Sequence, residues 1–208
     1  MLNQINRPVE RWGPFAVTGH IKLDPGLLND LQITLQNVFS CIASASSQCP
    51  PTLISGLAEG ADTLAAEAAI KAGWYVDAVL ALPLEALTQD YSIAGRKRLF
   101  KILKSCRNIT IVSENIVPRP ECYVRQSRHL LQMSSSLIAI WDGLPSDLPG
   151  GTAYTVSKFM DNREAKPVCC NEPWGSEFGD VLDQFRPGVK FFRIDQECML
   201  IHISARRE

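Results

Sequence analysis

Six short apolar runs, each closed by a glycine, a proline or a polar residue, alternate along this chain with segments whose apolar residues recur at helical spacing. The runs are Phe15 to Thr18, Leu53 to Ser55, Tyr75 to Leu82, Ile109 to Val112, Leu137 to Trp141 and Val168 to Cys170. The intervening helices span Pro25 to Ala45, Asp62 to Ala72, Tyr91 to Ser105, Val124 to Met133 and about Thr152 to Asn162. Asp24 opens the first of these, with Pro25 at the first helical position, and Gly73 stops the alanine-rich second. Strictly alternating strands and helices leave one economical arrangement: a mostly parallel sheet with helices on both faces, a Rossmann-like three-layer α/β sandwich. Val189 to Ile194 and Met199 to Ile203 then add a hairpin or an edge.

No repeat or linker divides the 208 residues, a length that suits one domain over residues 1–208. A net charge of -1 does not suggest a chain that coats nucleic acid or an anionic membrane surface, and leaves room for a local basic site. No apolar run reaches the length of a membrane span, and the first residues are polar. The seven cysteines are scattered and never spaced C-x-x-C, so neither a metal site nor a disulfide framework is expected. They read as small apolar residues in a reducing cytoplasm.

In an open parallel sheet, ligands bind beyond the carboxyl ends of the strands. Three strand ends here carry suitable residues. The first is Thr18-Gly19-His20. The second is Ser55-Gly56-Leu57-Ala58-Glu59-Gly60-Ala61-Asp62. The third is Asp142-Gly143, followed by Gly150-Gly151-Thr152 at the next helix start. Glycine lets a backbone turn tightly and approach an anion, and free N–H groups at a helix start favour phosphate. Thr152 offers a hydroxyl, Asp62 a helix cap, and Asp142 an acceptor for ribose hydroxyls. One such turn is ordinary βα-loop chemistry; three in one sheet point to a ligand. Neither a Walker A loop nor the G-x-G-x-x-G fingerprint is present, so NTP hydrolysis and NAD-linked hydride transfer are disfavoured and no cofactor is expected.

Two further features have an ordinary structural reading beside a functional one. The stretch Arg96 to Arg107 holds six basic and no acidic residues. It reads first as a solvated helix face over Leu99, Ile102, Leu103 and Cys106, and second as a phosphate-attracting rim. Tyr91, Tyr123 and Trp141 are positioned either for the core or for stacking on a base.

The stretch Leu53-Ile54-Ser55-Gly56-Leu57-Ala58-Glu59-Gly60-Ala61-Asp62 resembles the S-G-x-A-x-G-x-D turn of the SLOG superfamily. Ser136 to Gly143 with Gly150-Gly151-Thr152 resembles the second signature of its sensor-like members. That group includes LOG-type nucleotide phosphoribohydrolases, the DNA-processing protein DprA/Smf and ligand-sensing domains of bacterial defence systems. The likeness runs from about Phe15 to Cys170, leaving residues 175–208 as a C-terminal extension. It implies a cytoplasmic module that binds a phosphate-bearing, nucleotide-derived molecule, such as a signal of antiviral defence. Such modules self-associate as homo-oligomers and act on an effector protein, with no membrane or nucleic acid involved. The phosphoribohydrolases carry P-G-G-x-G-T-x-x-E with an assisting arginine. Here Pro149-Gly150-Gly151-Thr152 continues into Ala153-Tyr154-Thr155-Val156-Ser157-Lys158, so the glutamate is missing. The resemblance leaves Arg125 or Arg128 to stand for the arginine, which alone is no acid or base at neutral pH. A LOG-like N-glycosidase and a DprA-like DNA-binding protein stay open as alternatives.

Overall fold

The computed structural model describes residues 13–45, 49–113, 118–161, 166–167, 188–194 and 198–206. Within them the chain runs β1 (Phe15–Gly19), a 3₁₀ turn (Pro25–Leu27), α1 (Leu28–Ala45), β2 (Thr52–Ser55), α2 (Ala61–Lys71) and β3 (Tyr75–Leu80). A short helix α3 (Leu84–Leu87) and a 3₁₀ turn (Thr88–Asp90) precede α4 (Ile93–Leu103) and β4 (Asn108–Ile111). The second half holds α5 (Arg119–Gln132), β5 (Ser136–Trp141), α6 (Thr152–Met160), β6 (Lys166–Pro167), β7 (Val189–Arg193) and β8 (Met199–Ser204).

The strands form one sheet in the order β4-β3-β2-β1-β5-β8-β7-β6. The pairings from β4 across to β8 are all parallel, and the β8–β7 and β7–β6 pairings are antiparallel. Alternation along each strand sends side chains to two cores. Val17, Leu53, Val76, Leu80, Ile138 and Ile140 meet α1, α2 and α4. Ala16, Ile54, Val79, Leu137 and Ala139 meet Leu130 of α5 and Val156 and Phe159 of α6. This is the Rossmann-like sandwich that the alternation predicts.

Boundaries differ where local chemistry overrides periodicity. Asp24 accepts the Gly26 N–H at 2.9 Å with Pro25 behind it, but the first turn is 3₁₀. Ser92 is the cap of α4, its hydroxyl accepting the Gly95 N–H, which leaves Tyr91 outside the helix. Helix α5 starts at Arg119 rather than Val124, because proline fits a first helical turn and the polar residues there carry no periodic signal. The expected end of α6 at Asn162 and the strand Val168 to Cys170 lie outside the described residues.

The tail forms the expected hairpin of β7 and β8, yet β8 is no edge strand. It pairs with β5 from Leu137↔Leu200 to Trp141↔Ser204, and Ile201 is completely buried. Helix α2 is covered nearly all round, which accounts for its alanines: Ala61, Ala65, Ala66, Ala68 and Ala69 are all buried. No helix among the described residues is long and apolar enough to cross a membrane.

Candidate functional site

The chain leaves β1 toward β2 on one side, and returns from β4 through α5 to lay β5 on the other side of β1. The carboxyl ends of β1 and β5 are therefore where successive connections diverge, the place where open α/β sheets form a crevice. All three turns expected from the sequence end here or next to it.

At the divergence itself, His20 follows β1 and Asp142 follows β5, both largely buried. The imidazole Nε2 lies 3.2 Å from Asp142 Oδ1 and 3.2 Å from the Asp142 backbone nitrogen. Neutral, with its lone pair on Nε2, His20 accepts the backbone N–H; protonated, it donates to the carboxylate. Asp142 Oδ1 also accepts the Leu144 N–H at 3.0 Å, which shapes the loop into α6. Thr18 is buried one residue inside β1, and Gly19 sits where a β-carbon would collide with Ala61 and crowd Ile140.

The second turn is held from several directions. Ser55 Oγ accepts the Leu57 N–H at 3.0 Å, and the Tyr91 hydroxyl donates to the Leu57 carbonyl at 2.5 Å. Leu57, wholly buried, has φ +54, a left-handed conformation costing a non-glycine residue about 1–3 kcal/mol. Strain of this kind persists only where the surroundings impose it. Tyr91 is thereby a core residue and is not available to stack on a base. Burial raises its phenol well above the usual range, with the nearby Asp62 carboxylate adding to the effect.

Glu59 points away to α4, accepting the Ser92 N–H at 2.8 Å and the Ser92 hydroxyl at 2.5 Å. Gly60, at φ +105, is the N-cap of α2, and a β-carbon there would strike the His20 and Ile21 carbonyl oxygens. The expectation that Asp62 caps α2 is corrected: the cap position belongs to Gly60, and Asp62 lies inside the helix. Its carboxylate instead takes backbone hydrogen bonds from Ala58 and from Gly19 at the end of β1. Asp62 is 7% exposed, and its Oδ1 is buried without a hydrogen-bond partner. Burial pushes the carboxyl up to about 7, against the pull of the two backbone bonds.

The starts of α2 and α6 differ in a way the sequence does not reveal. In α2 the Ala61 N–H donates to the His20 carbonyl and the Thr63 N–H to the Ala58 carbonyl. Those donors are occupied within the protein. Helix α6 begins at Thr152 after Gly151, with no side-chain cap. The first-turn N–H groups of a helix have no intrahelical partner, so α6 presents the more open anion-favouring terminus. Gly150, at φ +73, packs against the backbone of Tyr123 and Val124, seating this turn on α5. Gly151 has φ −77, an ordinary conformation for any residue. Thr152 is buried, and Thr155 Oγ lies 2.8 Å from Ser127 Oγ of α5.

The α5 residue buried against the strand ends is Gln126. Its Nε2 donates to the Val79 carbonyl at 2.6 Å and the Gly56 carbonyl at 3.3 Å, and a β-carbon on Gly56 would stand 2.9 Å from the same nitrogen. Arg125 is exposed and paired with Glu121 at 2.5 Å, one helical turn away. Arg128 is exposed near Lys158 of α6. Arg125 and Arg128, the two arginines expected at the site, are both exposed on α5. A glutamine between two charged helical positions carries no signal of its own, so sequence reasoning passes over it.

A line of groups thus crosses the carboxyl ends of β2, β1 and β5: Gln126, Gly56, Asp62, Gly19, His20 and Asp142. The start of α6 stands beside it. The strand ends thus bring together a buried carboxyl whose proton is held up to about 7 and a histidine–aspartate pair, beside the open first turn of α6.

No family model matches the chain, and no curated protein matches it. Among solved structures it is similar to DNA processing protein A (DprA) from Streptococcus pneumoniae, with a TM-score of 0.50 and 17% sequence identity. The match covers 85% of this chain and 58% of that one, so the chain spans less than two thirds of that structure's length. At this identity the shared property is the fold.

Proposed function

We propose that this protein binds a phosphate-bearing, nucleotide-derived small molecule in the crevice between the ends of β1 and β5. The observation that carries this reading is the uncapped start of α6, seated on α5 at the point where the strand connections diverge. An anion there meets unpaired N–H groups and the positive end of a helix without displacing any protein carboxylate. The strained, fully buried Leu57 turn beneath the strand ends supplies the rigidity that small-molecule sites need. The motif resemblance supports a sensing role, with the ligand a signal of antiviral defence, the protein self-associating and an effector protein downstream.

Mass spectrometry of small molecules released from the purified protein, followed by calorimetry with the released compound, tests this reading. A phosphate-bearing compound that rebinds with modest salt dependence is the expected result. Lys97 and Lys101 of α4 and Lys104 at its C-cap are exposed. Changing all three to glutamine should leave that affinity nearly unchanged. DNA binding through phosphates would instead fall steeply with salt, with a log–log slope of about -0.7 per contact on single strands. Tight single-stranded DNA binding with such a slope, lost in the triple variant, would replace the small-ligand reading.

One observation favours an enzymatic second reading: Asp62 holds its proton up to about 7, in the range for general acid–base work. Release of free base from nucleoside monophosphates, abolished by Asp62→Asn, would establish an N-glycosidase.

A further inference from the structure

We propose that the cavity between the β5–α6 loop and the outer side of α6 receives the planar base of the ligand whose phosphate rests on the first turn of α6. The inference rests on the nucleotide-binding reading above and adds to it where the base goes and which bases fit.

The cavity measures about 520 Å³, within the roughly 300–1,000 Å³ typical of small-molecule sites. Trp141 and Tyr154 supply its aromatic walls, and Pro145, Leu148 and Pro149 its loop side. The Trp141 ring is held in place. The Trp141 indole N–H donates to the Leu144 carbonyl at 3.0 Å, and its ring packs beside His202 at a centroid distance of 6.0 Å. Lys158 Nζ lies 6.0 Å from the centre of the Tyr154 ring. A fixed ring loses little freedom when a flat ligand settles on it. Leu148 is 62% exposed, an apolar loop residue that a ligand would cover.

Position and charge give the cavity a direction. Ala153 and Tyr154 belong both to its lining and to the first turn of α6, so a ligand with its phosphate on that turn reaches the cavity directly. At the loop side stands Asp147, which repels an anion and accepts hydrogen bonds. Phosphate at the helix start and an amino-bearing base toward Asp147 is the orientation that satisfies both ends. Adenine, guanine and cytosine carry such an amino group; uracil does not.

Titration of the full chain with AMP, UMP and ribose 5-phosphate tests the inference, followed by calorimetry and by quenching of tryptophan fluorescence. AMP should bind about tenfold or more tighter than ribose 5-phosphate, in line with stacking on an aromatic ring. Tyr154→Ser should bring AMP down to the affinity of ribose 5-phosphate while the latter is unchanged, and Tyr154→Phe should restore it. Asp147→Ala should remove the preference for AMP over UMP. Equal affinity for AMP and ribose 5-phosphate in the intact protein would overturn the cavity as the base site while leaving the phosphate site standing. Absence of binding by all three at millimolar concentration would overturn the nucleotide reading itself. The AMP to ribose 5-phosphate ratio in the intact protein decides the matter even where Tyr154→Ser fails to fold.

Discussion

His20 and Asp142 join the ends of two parallel strands that lie 122 residues apart in sequence, through an imidazole nitrogen 3.2 Å from both the carboxylate and the backbone nitrogen of Asp142. The same carboxylate fixes Leu144 in the loop that walls the cavity beside α6. Asp142 therefore connects the crevice to that loop, and its acceptor geometry matters as much as its charge. Asp142→Asn keeps an oxygen for the Leu144 N–H, whereas Asp142→Ala removes it. Affinity for AMP should fall several-fold in Asp142→Asn and by about tenfold or more in Asp142→Ala, roughly the 1–2 kcal/mol of a lost loop-ordering hydrogen bond. Equal calorimetric affinities in the two variants would separate the loop from the site.

Two strand-end glycines, Gly60 and Gly151, differ in what the fold requires of them. Gly60 combines φ +105 with carbonyl oxygens of His20 and Ile21 against its α-carbon, so Gly60→Ala meets both strain and collision. A loss of about 3 kcal/mol or more in urea denaturation is expected. Gly151 has φ −77, and its nearest obstacle is the Leu148 carbonyl at 3.2 Å in an exposed loop. Gly151→Ala should cost within about 1 kcal/mol. Comparable losses at the two positions would show that the turn into α6 is as tightly packed as the turn into α2.

Gln126 satisfies the carbonyls of Val79 and Gly56 from the opposite helix layer. In Gln126→Leu both oxygens lose that donor inside a buried site, at a cost of about 1–3 kcal/mol each at most. Gln126→Glu should be worse, because a carboxylate placed against two carbonyls offers no proton unless it stays neutral. Thermal unfolding at pH 5 and pH 8 separates the variants: Gln126→Glu should recover part of its stability at the lower pH, and Gln126→Leu should not.

The legibility of this protein follows from which forces leave periodic marks. Strand–helix alternation made the layered sheet readable, because burial on two faces demands continuous apolar runs such as Leu137 to Trp141 and apolar stripes such as Leu31, Leu35, Val38 and Ile42. The three strand-end turns were readable for the same reason: glycine marks a change of direction. Their internal assignments were not. Gly60 and Gly150 look like ligand-approach glycines in sequence, yet their α-carbons face protein backbone. Glu59 looks available until Ser92, more than 30 residues on, closes over it. Asp62 has the residue type and position of a helix cap, and only the close approach of Gly19 shows that its carboxylate turns the other way. Arg125 and Arg128 stand beside Gln126 on one helix, and the facing of α5 alone decides which of the three is buried against the strand ends. Each of these outcomes depends on contacts between distant segments, which no local pattern records.

Asp62 gives the fold a pH dependence whose sign is fixed by its surroundings. Unfolded, an aspartate loses its proton near 3.9. Folded, burial holds the Asp62 proton up to about 7, with the Ala58 and Gly19 backbone bonds opposing the shift. Between those two values the folded chain binds the proton more readily, so this group's contribution to stability falls as pH rises through the window and is fully lost above it. Tyr91 is the titratable group coupled to Asp62, and it remains in an Asp62→Asn variant. The amide introduced by that substitution cannot ionise, so the difference between the two proteins isolates this one carboxyl. Urea denaturation should find them nearly equal at pH 4, and the variant more stable at pH 8 by roughly 1–4 kcal/mol. A difference that stays constant from pH 4 to pH 8 would show that Asp62 is already ionised across that range and owes nothing to its burial.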